Sequence, residues 1–223
     1  MELTPLTHQL DIGYKDSKNN VHRQVTFGAR VNGEKLFAID EDPQANSKTQ
    51  YQLLLLRASI TEFGTLTMPV TLAVLLALDS IDIDDLNEAF ITFSNNHIGA
   101  RKVEFLPENK VKLPLGYERN GLTYDVVEFG TRLTGMDDVE ADHLNLTGAR
   151  RLCFLAGKQV VRLSQSDGAS ILEGPLPLQI CERLDVVDIY AIKAGSEFFR
   201  QSLRIKGREN GAVGTDSNSA SVS

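Results

Sequence analysis

Two stretches of closely similar sequence, VTFGARVNG at residues 25–33 and VEFGTRLTG at residues 127–135, lie about 102 residues apart in a chain of 223. LDSIDI at 78–83 matches LDVVDI at 184–189, with Pro69 falling on Pro175 and Leu72 on Leu178. Upstream, Leu10, Gly13 and Tyr14 fall on Leu113, Gly116 and Tyr117, so three matched segments keep one order. A repeat constrains a fold strongly, because each copy must be one unit that closes a core alone or shares it with its neighbour. The expectation is an α+β protein of two similar small modules, at residues 1–96 and 111–206. A linker is read at 97–110, in the polar segment NNHIGARKVEFLPENK, and a disordered tail at 207–223, where large apolar residues are too few to offset chain entropy. A unit of about 90 residues is near the lower limit for a single core, so the modules are expected to pack on each other or on a partner.

Each copy begins with alternation of apolar and polar residues, Leu10, Ile12, Tyr14 and then Val25, Phe27, Ala29, around the polar stretch 15–20, which signals a β-hairpin. About three helices follow. The first spans about 49–63, with Tyr51, Leu54, Leu55 and Ala58 on one face and Gly64 placed to end it. Pro69 opens a short second helix over 71–78. The third starts after Asp82, an N-cap, and carries Leu86, Ala89, Phe90 and Phe93. In the second copy the helices fall at about 147–163, after Pro177, and after Asp188 with Ile189, Ile192 and Phe199. Gly28 and Gly130 mark a bulge or a close backbone approach.

The net charge of −7 disfavours nucleic acid and anionic membranes as partners. The longest apolar run, about 72–78, is too short to span a bilayer, and no basic-then-apolar leader opens the chain, which reads as cytosolic. Cys153 and Cys181 read as buried apolar residues, and His8, His22, His97 and His143 as exposed, without metal-ligand spacing. No nucleophile elbow, phosphate loop or zinc helix is present, so no catalytic residue, cofactor or metal is assigned. The acidic run Asp79, Asp82, Asp84, Asp85 and Glu88 reads as helix-start charge rather than a cation loop, which would carry a central Gly.

A strand pair, a helix with Arg57, the turn at Gly64, then a Pro and an L-x-x-L-x-x-L-D-x-x-D-x-x-x-L run (Leu72, Leu75, Leu78, Asp79, Asp82, Leu86) resembles the tail assembly proteins, or tail assembly chaperones, of Mu-like and long-tailed bacteriophages. The resemblance covers each half, about 10–93 and 113–199, and departs from the family in being tandem. It implies a non-catalytic protein of the host cytoplasm that binds the tape-measure protein and the tail tube protein before they polymerise. The alternative is a structural component of the virion baseplate or tail hub. A divalent-metal enzyme using the Asp79 run is the third reading. A homo-oligomer is compatible with all of them. Leu75, Phe90 and Phe93, with Phe198 and Phe199, are the candidate partner-binding residues, because they exceed what so small a module readily buries.

Overall fold

The chain turns first at 16–20, where the Asp16 carboxylate accepts the N–H groups of Lys18 and Asn20, both at 2.8 Å, and Asn19 is left-handed at φ 66°. That turn joins β1 (Leu6–Lys15) to β2 (Val21–Phe27) as an antiparallel hairpin. The structure, a computed structural model, describes residues 3–66, 69–99 and 101–212, with the backbone alone beyond residue 205. After β2 come α1 (Gly33–Asp40), α2 (Lys48–Ser59), β3 (Ile60–Phe63), α3 (Leu72–Leu76) and α4 (Ser80–Ile98). Next are β4 (Glu104–Leu106), β5 (Lys110–Arg119), β6 (Leu122–Phe129), α5 (Gly135–His143), α6 (Gly148–Gln159), β7 (Val160–Ser164), β8 (Ser170–Glu173), α7 (Leu178–Arg183) and α8 (Val186–Ala212). Two antiparallel sheets result, β1-β2-β3 and β4-β5-β6-β7-β8, interleaved with helices in an α+β fold.

Leaving β4 and β8 aside, both halves run strand, strand, helix, helix, strand, helix, helix. The shared order extends to single bonds. In β1 the pairing with β2 slips between Gln9 and Tyr14, and in β5 the pairing with β6 slips between Lys112 and Tyr117. Gly13 at φ 85° and Gly116 at φ 79° sit in these bulges, in the left-handed region where a Cβ is strained.

The helices read at 49–63 and 147–163 are each a helix followed directly by a strand. Ile60 and Thr61, like Val160 and Val161, are β-branched and half-suited to a helix, and the chain turns extended at Ile60 (ψ 127°) and Val160 (ψ 136°) to pair with β2 and β6. Ser59 O, freed of a helical partner, accepts the N–H groups of Gly28 and Ala29, as Gln159 O accepts those of Gly130 and Thr131. The two glycines make the close approach expected of them: a Cβ on Gly28 would meet Thr61 Oγ1 at 2.8 Å, and one on Gly130 would meet Val161 Cγ1 at 2.9 Å.

Three further boundaries differ from expectation. Segment 97–110 is no plain linker, since α4 runs to Ile98 and β4 pairs with β5 across a turn with Glu108 and Asn109 left-handed. Residues 207–212 continue α8, while the rest of the expected tail, 213–223, lies outside the described residues. Helix α4 starts at Ser80, capped by Asp79, whose carboxylate accepts Ile81 N–H at 2.9 Å; Asp82 is already inside the helix. Helices α1 and α5 have no counterpart in the expected pattern, being too short for the periodicity to declare them.

One apolar cluster gathers Leu10, Phe27, Leu54, Phe63, Leu75 and Phe93 of the first half. The other gathers Val111, Phe129, Cys153, Leu163, Ile192 and Phe199 of the second, and it also takes Leu36 and Phe37 from α1. A buried side chain of this size is worth about 1.5–3 kcal/mol relative to exposure. Helix α1 is therefore part of the packing that holds the halves together.

Candidate protein-docking surfaces

Of the candidate partner-binding residues, Leu75, Phe93 and Phe199 are core. Phe93 stacks on Phe27 with ring centroids 6.0 Å apart, and Phe199 on Phe129 at 6.4 Å, so each closes its own sheet against its last helix. Phe90 is half-buried against Phe27. Phe198 alone reaches the surface, 44% exposed, with its ring 5.0 Å from that of Phe105. The module buries more than its size suggested because the third strand and α1 add covering surface to the core.

The acidic run resolves into separate structural tasks. Asp82 is fully buried and accepts Ile12 N–H at 3.1 Å and Gly13 N–H at 2.6 Å, which the bulge of β1 has turned away from β2. Asp188 does the same in the second half, accepting Leu115 N–H at 2.9 Å and Gly116 N–H at 3.1 Å. Burial pushes the Asp188 carboxyl up to about 6, against the downward pull of the two N–H groups. Among the described residues no group of three or more His, Cys, Asp or Glu is placed to hold a metal ion.

The remaining reactive side chains are also built in. His22 is buried, not exposed, with Nε2 3.3 Å from Asp16 Oδ2 and Nδ1 3.4 Å from Thr65 N. His8 and His97 are partly covered, each with a buried Nε2 that has no hydrogen-bond partner, and only His143 is exposed as expected. His22 is covered because the hairpin turn at Asp16 and the chain after β3 at Thr65 close on its ring, and His97 because it lies on α4 facing Arg30 and the start of α8. Burial, reinforced by Arg30, lowers the His97 pKa. Cys153 and Cys181 are free and buried, as expected; the hydrogen bond between them, together with burial, pushes the Cys153 thiol up, away from the reactive thiolate.

What the repeat alone did not reveal is the docking of α1. Gly33 N–H donates to Leu184 O and Val186 N–H to Val31 O, both at 2.9 Å, and Arg30 Nε donates to Asp185 Oδ2 at 3.0 Å. Farther along, the Asp40 carboxylate accepts Ala149 N–H at the start of α6, Arg150 lies over the Phe37 ring at 5.2 Å, and Arg150 pairs with Glu41 at 2.9 Å. Backbone fits backbone at Gly33, where a Cβ would strike Cys181 O.

Helix α5 holds the corresponding place in the second half with a different environment. It is tied to α6 by Arg151 to Asp138 at 2.9 Å and by Lys158 to Glu140 at 2.8 Å, and of its residues only Ala141 is buried. Met136 is 72% exposed, with Val139 and Leu144 exposed beside it. Leu76 and Ile81 are exposed at the α3–α4 corner of the first half, Ile81 at 54%. Both regions are exposed apolar surfaces that a protein partner could cover.

Comparison of the chain with models of protein families, with curated proteins and with solved structures gave no match.

Proposed function

We propose that the protein is a non-catalytic, protein-binding factor of bacteriophage tail morphogenesis that holds the tape-measure protein, the tail tube protein or both before they assemble. The observation that carries this reading is the pair of exposed apolar surfaces, Met136 and Val139 on α5 with Leu144 at its end, and Leu76 with Ile81 at the α3–α4 corner, on a molecule of net charge −7. An exposed apolar stripe on a short helix suits a partner helix presenting its own i, i+3, i+4 face, and the acidic remainder keeps such a complex soluble. The resemblance of the Leu72 to Leu86 run supplies the choice of partner. In the fold that run is framework: Leu72, Leu75, Leu78 and Leu86 are core, Asp79 is a helix cap and Asp82 anchors the bulge. Partner contact is accordingly assigned to Leu76 and Ile81, the exposed positions within the run, and to the α5 surface. That both buried aspartates are spent on backbone N–H groups supports the non-catalytic reading over the metal-dependent enzyme. No helix among the described residues is long and apolar enough to cross a membrane.

The test is co-expression with the long helical protein encoded nearest to this chain. Wild-type protein is expected to co-purify with it, and Met136→Glu combined with Leu144→Glu to lose it at unchanged melting temperature. Absence of co-purification by the wild type would overturn the reading. Detection of the chain at fixed copy number in purified particles would instead favour the structural baseplate or hub subunit.

A further inference from the structure

The two halves carry matching clefts, one filled and one open. The first is walled by Arg30, Val31, Ser59, Ser94, His97 and Ile98, and Asp185, Val186 and Val187 at the start of α8 enter it. Asp185 is shaped for this: its Oδ1 accepts Val187 N–H at 3.1 Å, which leaves Oδ2 for Arg30 at 3.0 Å. The second cleft, of about 270 Å³, is walled by Arg132, Leu133, Gln159, Arg200, Leu203 and Arg204. By the order of elements these residues stand where the walls of the first cleft stand. None of these three arginines has an ion-pair partner among the described residues, and the buried Gln159 Nε2 has no hydrogen-bond partner. A concentration of three unpaired guanidinium groups on an acidic protein is a place for an incoming carboxylate.

The chain also exposes the matching plug. Asp79, Ser80 and Ile81 hold the place in the first half that Asp185, Val186 and Val187 hold in the second, and all three are exposed. Asp79 Oδ1 already accepts Ile81 N–H at 2.9 Å, the same turn that Asp185 makes with Val187. Leu76 and Asp84 are exposed beside it, so the corner is both apolar and acidic, the complement of the open cleft. Gly135 agrees with this pairing. Gly33 is bare because Cys181 O lies against it, whereas a Cβ on Gly135 would meet nothing within 4 Å in this chain.

We propose that a second copy of this chain seats its 79–81 turn in the Arg132 cleft, repeating between chains the contact that joins the halves within one. The surfaces differ, so the contact is heterologous and association runs head to tail, into a ring where the rotation closes and a filament where it does not. Helix α5 carries Asp138 and Val139 where α1 carries Leu36 and Phe37, so the contact between copies is weaker than the one within the chain. Charge carries much of it, and added salt weakens it. The inference does not rest on the tail-assembly reading.

Sedimentation velocity of the full chain at about 1–100 μM tests it. Wild-type protein is expected to show a weight-average mass that climbs past the dimer with concentration and falls back in high salt. Arg132→Glu and Ile81→Glu, both exposed, are each expected to stay monomeric with unchanged melting, and a mixture of the two to form a heterodimer that grows no further, since one intact cleft then meets one intact turn. Arg200→Glu and Leu76→Glu replace either variant that melts early. A wild type that stays monomeric, variants that still associate, or a mixture without heterodimer would each overturn the proposal.

Discussion

Helices α1 and α5 occupy the same place in the two halves, between the second strand and the longer helix that follows, yet one is packing and the other is surface. Gly33, Leu36, Phe37 and Ile39 of α1 are buried, while α5 buries only Ala141. Both helices are fixed at their start by a side chain, though in opposite senses: the cap residue Asn32 accepts Lys35 N–H through Oδ1 in one, and Asp137 in the first turn accepts Thr134 N–H in the other. The difference lies in what each helix carries and what packs on it. The first half meets the second through α1, whereas among the described residues nothing covers the apolar side chains of α5. Sequence and surroundings act together: α1 brings Leu36 and Phe37 to a neighbour that covers them, while α5 carries Asp138 and Val139 at the matching places.

The largest effect is expected from Phe93→Ser and Phe199→Ser, which remove matched stacking partners from matched cores; each should cost about 4 kcal/mol or more in urea unfolding. A loss in one half with little in the other would show that only one core is built as described. Asp82→Ala and Asp188→Ala follow, at roughly 3 kcal/mol each, because each leaves two backbone N–H groups of a bulge without an acceptor. Asp188 adds a pH signature. Its carboxyl is near 6 in the folded chain against an ordinary 3.8. Between those values the unfolded chain has lost the proton that the folded chain keeps, so the stabilising contribution is full below about pH 4 and is lost as the pH rises to 6, on the order of 3 kcal/mol in all. Urea titrations across this range should show that fall, and Asp188→Asn should remove it.

A smaller effect separates the two helices themselves. Gly33→Ala drives a methyl into Cys181 O and should cost about 1–3 kcal/mol, whereas Gly135→Ala enters open space and should stay within about 0.5 kcal/mol of wild type in dilute protein. Equal costs would erase the distinction between docked and bare helix. The smallest change is expected from Phe198→Ser, about 1 kcal/mol or less by thermal melting, since its ring is half in solvent and its one aromatic contact is the equally exposed Phe105.

Much of this was legible in the chain. The matched segments located the close approach at Gly28 and Gly130, the hairpins and the Phe93 and Phe199 helices, and the α+β class followed, while the bulges at Gly13 and Gly116 were matched positions without an assigned role. The third strands were hidden because Ile60 and Val160 continue the apolar spacing of the helices before them; only the β-branched pairs Ile60–Thr61 and Val160–Val161 marked the change. Asp82 and Asp188 read as caps because a carboxylate near a helix start usually is one, and the bonds they make cross about 70 residues of chain. The Arg30 to Asp185 contact was beyond periodicity altogether. Its only trace was that Arg30 and Arg132, and Asp79 and Asp185, recur at matched places, which says that they are equivalent without saying which two meet.

The account turns on α1 being covered and α5 bare, and residue-resolved amide hydrogen exchange of the dilute full chain tests that most directly. The amides of Phe37, Ala38, Ile39 and Asp40 should exchange only with global unfolding, and those of Val139, Glu140, Ala141 and Asp142 on the order of 100-fold faster or more, through local opening of α5. Equal protection of the two helices, or faster exchange in α1, would contradict the account.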